Sequence, residues 1–165
     1  MFLRTRTPHA TFARMRNFVQ VLYAGLLGAL VALSVVAWVM IDRIERAEEL
    51  PATALLVAGG VLSVLVVGAC AALPRLLARS DETNVALRLH AVVYGRILYG
   101  AGLEGAGLFW AVLALFLKNP VCFIGPAAAL LGLAWGFPTR ARLEEEVGMS
   151  ETRIEQELER LKDGR

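Results

Sequence analysis

Glu104 and Arg96 are the two residues whose chemistry stands out from their surroundings. Both fall in the stretch 91–117, AVVYGRILYGAGLEGAGLFWAVLALFL, which is long and apolar enough to cross a bilayer. Glu104 lies at its middle. A carboxylate there costs on the order of 3 kcal/mol on insertion scales, so its default reading is functional, with a partner to be named. At ~100° per residue, Arg96, Gly100, Glu104, Gly107, Ala111 and Lys118 share one stripe of the helix. Arg96 and Glu104 are two turns apart, roughly 12 Å along the axis, and Glu104 leans back toward Arg96. A direct ion pair needs both side chains stretched, and a bridging water makes it easier. Arg96 has the alternative of snorkelling to the interface. Without a partner, Glu104 reduces its cost by keeping its proton, because burial disfavours the charged form. Gly95, Gly100, Gly102, Gly105 and Gly107 surround it and leave room for another helix to approach closely.

The elements that position these residues follow from how the charges are segregated. The chain has 165 residues, 57% of them hydrophobic, with a mean hydropathy of +0.58. Nearly all its charges lie outside four apolar runs, at 18–41, 52–73, 91–117 and 121–137. That is the pattern of a polytopic membrane protein. At ~1.5 Å per residue the first three runs span a core of roughly 30 Å, and the fourth is at the short limit. The expected fold class is all-α: a bundle of four transmembrane helices over 18–137, a basic cytoplasmic segment 1–17 before it, and a charged, helical cytoplasmic tail 138–165.

Orientation is read from lysine and arginine. Fourteen basic residues fall before the first run, between the second and third with Arg96 included, or after the fourth; only Arg43, Arg46 and Lys118 fall on the other side. The positive-inside rule then places both termini in the cytoplasm, for a multi-pass protein of the cell inner membrane. The first run is well beyond a signal-peptide core of ~7–15 residues and lacks an A-x-A-like site, so it is read as a retained helix. Cys70 and Cys122 are expected near opposite ends of the bundle and free.

Small residues supply expected packing faces. Gly25/Ala29 and Gly28/Ala32 form small-xxx-small pairs in the first run, and Gly59, Gly60, Ser63 and Gly68 line the second. In the third and fourth runs the expected packing residues are Gly100, Gly107, Gly132 and Gly136. The stripe of Ala128, Gly132 and Gly136 is the first candidate for the surface facing Glu104. Lys118-Asn119-Pro120 should form a tight turn between these runs. Ser80-Asp81-Glu82 signals a helix start, so the third helix should begin about two turns before the membrane. Trp38 and Trp135 suit interfacial belts.

The remaining polar features read as ordinary surface. Residues 1–17, with Phe2, Leu3, Phe12 and Met15 among arginines, suit either a segment lying on an anionic leaflet or a topogenic tail. The loop 42–51 has four carboxylates without EF-hand spacing and is read as a solvated hairpin loop. His90 has no second ligand at a sensible spacing, so it is read as an interfacial residue, and no metal or cofactor is expected. In the tail, Thr139 and Ser150 are placed to cap two helices and Gly148 to end the first. Ile154, Leu158 and Leu161 recur on one face, as for a helical hairpin docked at the membrane or a partner-binding helix. The tail is expected to be dispensable for insertion. It has no recognition helix or basic face for nucleic acid.

The stretch 102–117, GLEGAGLFWAVLALFL, resembles the second helix of the proteolipid subunits of rotary ATPase rotor rings, where a mid-membrane carboxylate also lies among small residues. That resemblance covers about one helix of four and implies a carboxyl alternating between protonated and ion-paired states. More broadly, Arg96, the Leu-Glu-Gly-Ala at 103–106, a phenylalanine-containing half-helix and the closing Phe-Pro-Thr-Arg at 137–140 resemble uncharacterised four-span bacterial membrane proteins. No nucleophile–base pair or metal cluster is visible, so no enzyme is expected. The reading is a structural or interaction component of the inner membrane, in contact with the lipid bilayer and with a second copy or another membrane subunit, and with no identifiable small-molecule ligand. The alternative is a proton- or ion-coupled translocation component that uses Glu104.

Overall fold

The computed structural model describes residues 12–43, 51–78 and 85–163. The stretch before Phe12, most of the acid-rich loop 42–51 and the expected helix start at Ser80-Asp81-Glu82 lie outside them. The described residues form helices α1 (Phe12–Met40), α2 (Ala52–Ala78), α3 (Val85–Leu117), α4 (Ile124–Trp135), α5 (Arg140–Val147) and α6 (Glu151–Asp163), with a 3-10 turn at Pro120–Phe123 before α4. Three helices are long and apolar enough to cross a membrane. They become four if Pro120–Trp135 and Arg140–Val147, bent by 74° at their junction, count as one broken span.

α3 is the hub, packed against α1, α2, α4, α5 and α6. Its neighbours are set by the residues that lack bulk. A Cβ on Gly100 would sit 3.1 Å from Tyr23 and Leu26 of α1, and one on Gly107 would sit 2.9 Å from Leu30. α1 therefore runs parallel to α3. A Cβ on Gly102 would meet Cys70 at 2.9 Å, and Trp110 Nε1 donates to Ser63 Oγ at 3.0 Å, so α2 runs antiparallel on another face. α4 also runs antiparallel, because a Cβ on Gly107 would meet Ala129 at 2.9 Å and one on Gly132 would meet Leu103 at 3.0 Å. Van der Waals contact at such short range is what holds helices together where lipid supplies no hydrophobic drive. The start of α1, the end of α2, the start of α3 and the end of α4 thus gather at one end of the bundle, the basal end.

The expected turn at Lys118-Asn119-Pro120 is present. Lys118 reverses the chain at φ 48°, Asn119 accepts a hydrogen bond from the Val121 N–H at 3.0 Å, and Pro120 opens the 3-10 turn. Other expectations shift. α1 begins at Phe12 rather than residue 18, and Phe12 is fully buried, so the last residues of the basic segment are helix with a core role. The fourth run is a 3-10 turn followed by a 12-residue helix. Gly25, Gly28, Ala29 and Ala32 face away from α3, and nothing lies within 4 Å of a Cβ on either glycine. Among the described residues, nothing packs on those two glycines.

The tail is part of the fold. Leu143, Val147 and Ile154 are buried in one cluster with Phe12, Val19, Tyr23, Leu89 and Val93. Gly148 ends α5 at φ 72°, where only a residue without a Cβ is unstrained, while Thr139 occupies the position before α5 without a capping side-chain bond. Outside the core, Phe18, Val35, Val64, Leu65, Val112 and Leu131 are exposed and form an apolar girdle.

Candidate functional site

Arg96 and Glu104 have opposite fates. Arg96 lies on α3 two turns below Glu104 and turns its guanidinium to the basal end. Its Nε donates to Glu146 Oε2 at 3.0 Å, Nη2 donates to Glu146 Oε1, and Nη1 donates to the Gly136 carbonyl at 2.9 Å. The Arg96 carbonyl in turn accepts from the Tyr23 hydroxyl at 2.8 Å. One residue thereby joins α1, α3, the end of α4 and α5. The planar fork of arginine suits this, since it satisfies a carboxylate with two donors and a carbonyl with a third. Of the two courses open to Arg96, it turns away from Glu104 and makes a bidentate pair with Glu146, a residue 50 positions along the chain.

Glu104 is bare. It is half-buried between Gly100 and Gly107, where α1 and α3 touch, with Ala101 and Gly105 exposed beside it. No hydrogen bond or ion pair joins it to a described residue. The stripe expected to face it looks elsewhere: Gly132 packs on Leu103, Gly136 on Tyr99, and Ala128 is exposed. Each of Gly100, Gly107, Gly132 and Gly136 lies close to a side chain of another helix. The core itself contains no buried polar or charged residue among those described.

A second charged arrangement, absent from the sequence reading, ties α5 to α6 and α1. Arg140 Nε lies 3.0 Å from Glu144 Oε1 and 3.0 Å from Glu151 Oε2, and Arg16 of α1 lies 3.6 Å from Glu151. Glu144 also accepts the Glu151 N–H at 3.0 Å, which caps α6. That N–H first, and Arg140 next, hold the Glu144 carboxyl below its ordinary value. Arg140, Glu144 and Glu151 are spaced at four and seven residues, so a helix continued past Gly148 would have shown them on one face. The break at Gly148 hides the signal. His90 is exposed and donates from Nδ1 to the Ala86 carbonyl at 2.7 Å, in keeping with a surface residue. Cys70 and Cys122 are free. No cluster of histidine, cysteine and carboxylate able to hold a metal occurs among the described residues. In comparisons with known proteins, this chain matches no family model, no curated protein and no solved structure.

Proposed function

We propose that the chain is a four-span membrane protein with both ends in the cytoplasm, and that it works as a non-catalytic interaction component presenting Glu104 sideways to a partner within the bilayer. The observation that carries this is the bare Glu104: a half-buried carboxyl at mid-helix, with no described residue of its own chain to satisfy it. Such a group in hydrocarbon is costly, and a partner outside the chain removes the cost. Two further features support the reading. The small residues Gly25, Gly28, Ala29 and Ala32 face outward on α1, where another helix could approach closely. The alternating directions of α1 to α4 bring Arg14, Arg16, Arg88, Arg140 and Arg142 toward the basal end, a distribution in line with the positive-inside rule. The 3-10 turn and α4 together extend roughly 26 Å, enough for a short fourth span.

The alternative, a translocation component, uses the same carboxyl as a proton carrier and also needs a partner, because no polar or charged residue is buried among those described. Mass measurement of the detergent-solubilised protein tests the shared requirement. An oligomer or a stoichiometric partner lost in Glu104→Leu is expected; a strict monomer would end both readings. Glu104→Gln then separates them. Glutamine keeps the hydrogen bond and removes the titration, so association should persist if the residue only binds, while proton-coupled activity would vanish.

A further inference from the structure

We infer that the basal end carries a binding pocket for a phospholipid with a primary ammonium headgroup. A cavity of about 670 Å³ opens between the end of α2, α3 and α5. That volume is in the ordinary range for ligand pockets. Its lining combines apolar groups, Cys70, Val92 and Tyr99 among them, with the charged Arg142, Glu145 and the Arg96–Glu146 pair. Arg96 and Glu146 neutralise one another and are already hydrogen-bonded. Arg142 and Glu145 are different. Both line the cavity from α5, three residues apart, and neither side chain has a hydrogen bond or ion pair with a described residue. Arg142 instead lies over the Trp135 ring, 5.4 Å from its centroid, and Trp135 is 77% exposed.

This lining offers three kinds of surface. Tyr99 and Val92 offer an apolar surface for the glyceride portion; Arg142 offers a guanidinium for the phosphate; Glu145 offers a carboxylate that accepts N–H donors from an ammonium. Arg96 lies roughly 12 Å below mid-helix Glu104, close to the edge of the hydrocarbon core. The cavity that Arg96 lines is therefore near headgroup depth. A purely anionic headgroup would leave Glu145 facing like charge, and a quaternary ammonium would give it no N–H to accept. The primary ammonium satisfies both charges.

The inference rests on the membrane placement proposed above and not on any partner of Glu104, and binding in detergent is read independently of both. The full-length protein is mixed with equimolar phosphatidylethanolamine, phosphatidylcholine and phosphatidylglycerol of matched chains, and bound lipids are resolved by native mass spectrometry. Phosphatidylethanolamine should be retained at least about fivefold over the other two. Arg142→Ala should weaken retention of all phospholipids about tenfold, and Glu145→Gln should abolish the preference while leaving phosphatidylglycerol bound. Circular dichroism and elution volume verify that both variants fold. Equal retention of the three lipids, a preference for phosphatidylglycerol, or a preference that survives both substitutions would overturn the assignment.

Discussion

Two charges stand two turns apart on α3 and are treated in opposite ways. Arg96 is met by a carboxylate, a carbonyl and the helices that bring them; Glu104 is met by no described residue. The contrast follows from position. Arg96 sits where α4 ends and α5 turns away by 74°, so irregular backbone and a polar helix are at hand to answer it. Glu104 sits where every neighbour is a regular, apolar helix whose backbone groups are already bonded. A membrane-length bundle answers charges at its ends and leaves those at its centre to something else.

The contrast breaks most sharply at Arg96. Arg96→Ala strips the Gly136 carbonyl and Glu146 of their donors, and should cost about 2–3 kcal/mol. Arg96→Lys should recover only part, since an ammonium cannot fork. Thermal unfolding in detergent measures both, and limited proteolysis should cut first in α5 and α6. An unchanged melting point would mean the tail is held by its apolar contacts alone.

Next come the two glycines on either side of the divide. Gly107 is wedged between Leu30 and Ala129, whereas Gly105 faces open space. Gly107→Leu should destabilise by about 1–3 kcal/mol through overpacking. Gly105→Leu should change stability by less than about 0.5 kcal/mol. Equal losses would show that the face beside Glu104 is already covered in the free protein.

The basal charges should also respond to acid. Glu144 has its carboxyl lowered in the folded chain, so its contribution is present above the ordinary value of 4.5 and is lost as pH falls through the lowered one. Proteolysis at α6 should accelerate below that range and stay slow at neutral pH. In Glu144→Gln the acid-dependent increase should shrink.

The smallest effect on stability belongs to Glu104. Glu104→Leu should alter the melting point of the isolated chain by less than about 0.5 kcal/mol equivalent, in either direction, because no internal bond is lost. A loss near that of Arg96→Ala would reveal an internal partner and close the comparison.

The sequence by itself determined the apolar runs, the tight turn at Lys118-Asn119-Pro120, and the placement of a carboxyl among small residues at mid-helix. These are local: periodicity, backbone preference and the lack of a Cβ act within a few residues. What the tertiary structure decided is who answers whom. Glu146 reaches Arg96 across 50 residues only because the chain bends after α4, and Phe12 and Ile154 join one core only because α1 and α6 meet at the same end. The stripe rule also placed Gly25 and Gly28 at an interface, yet it holds no information on which side of a helix its neighbours will lie. Along an apolar helix every face is a candidate for contact, and only the assembled bundle distinguishes the face that packs from the face that meets lipid.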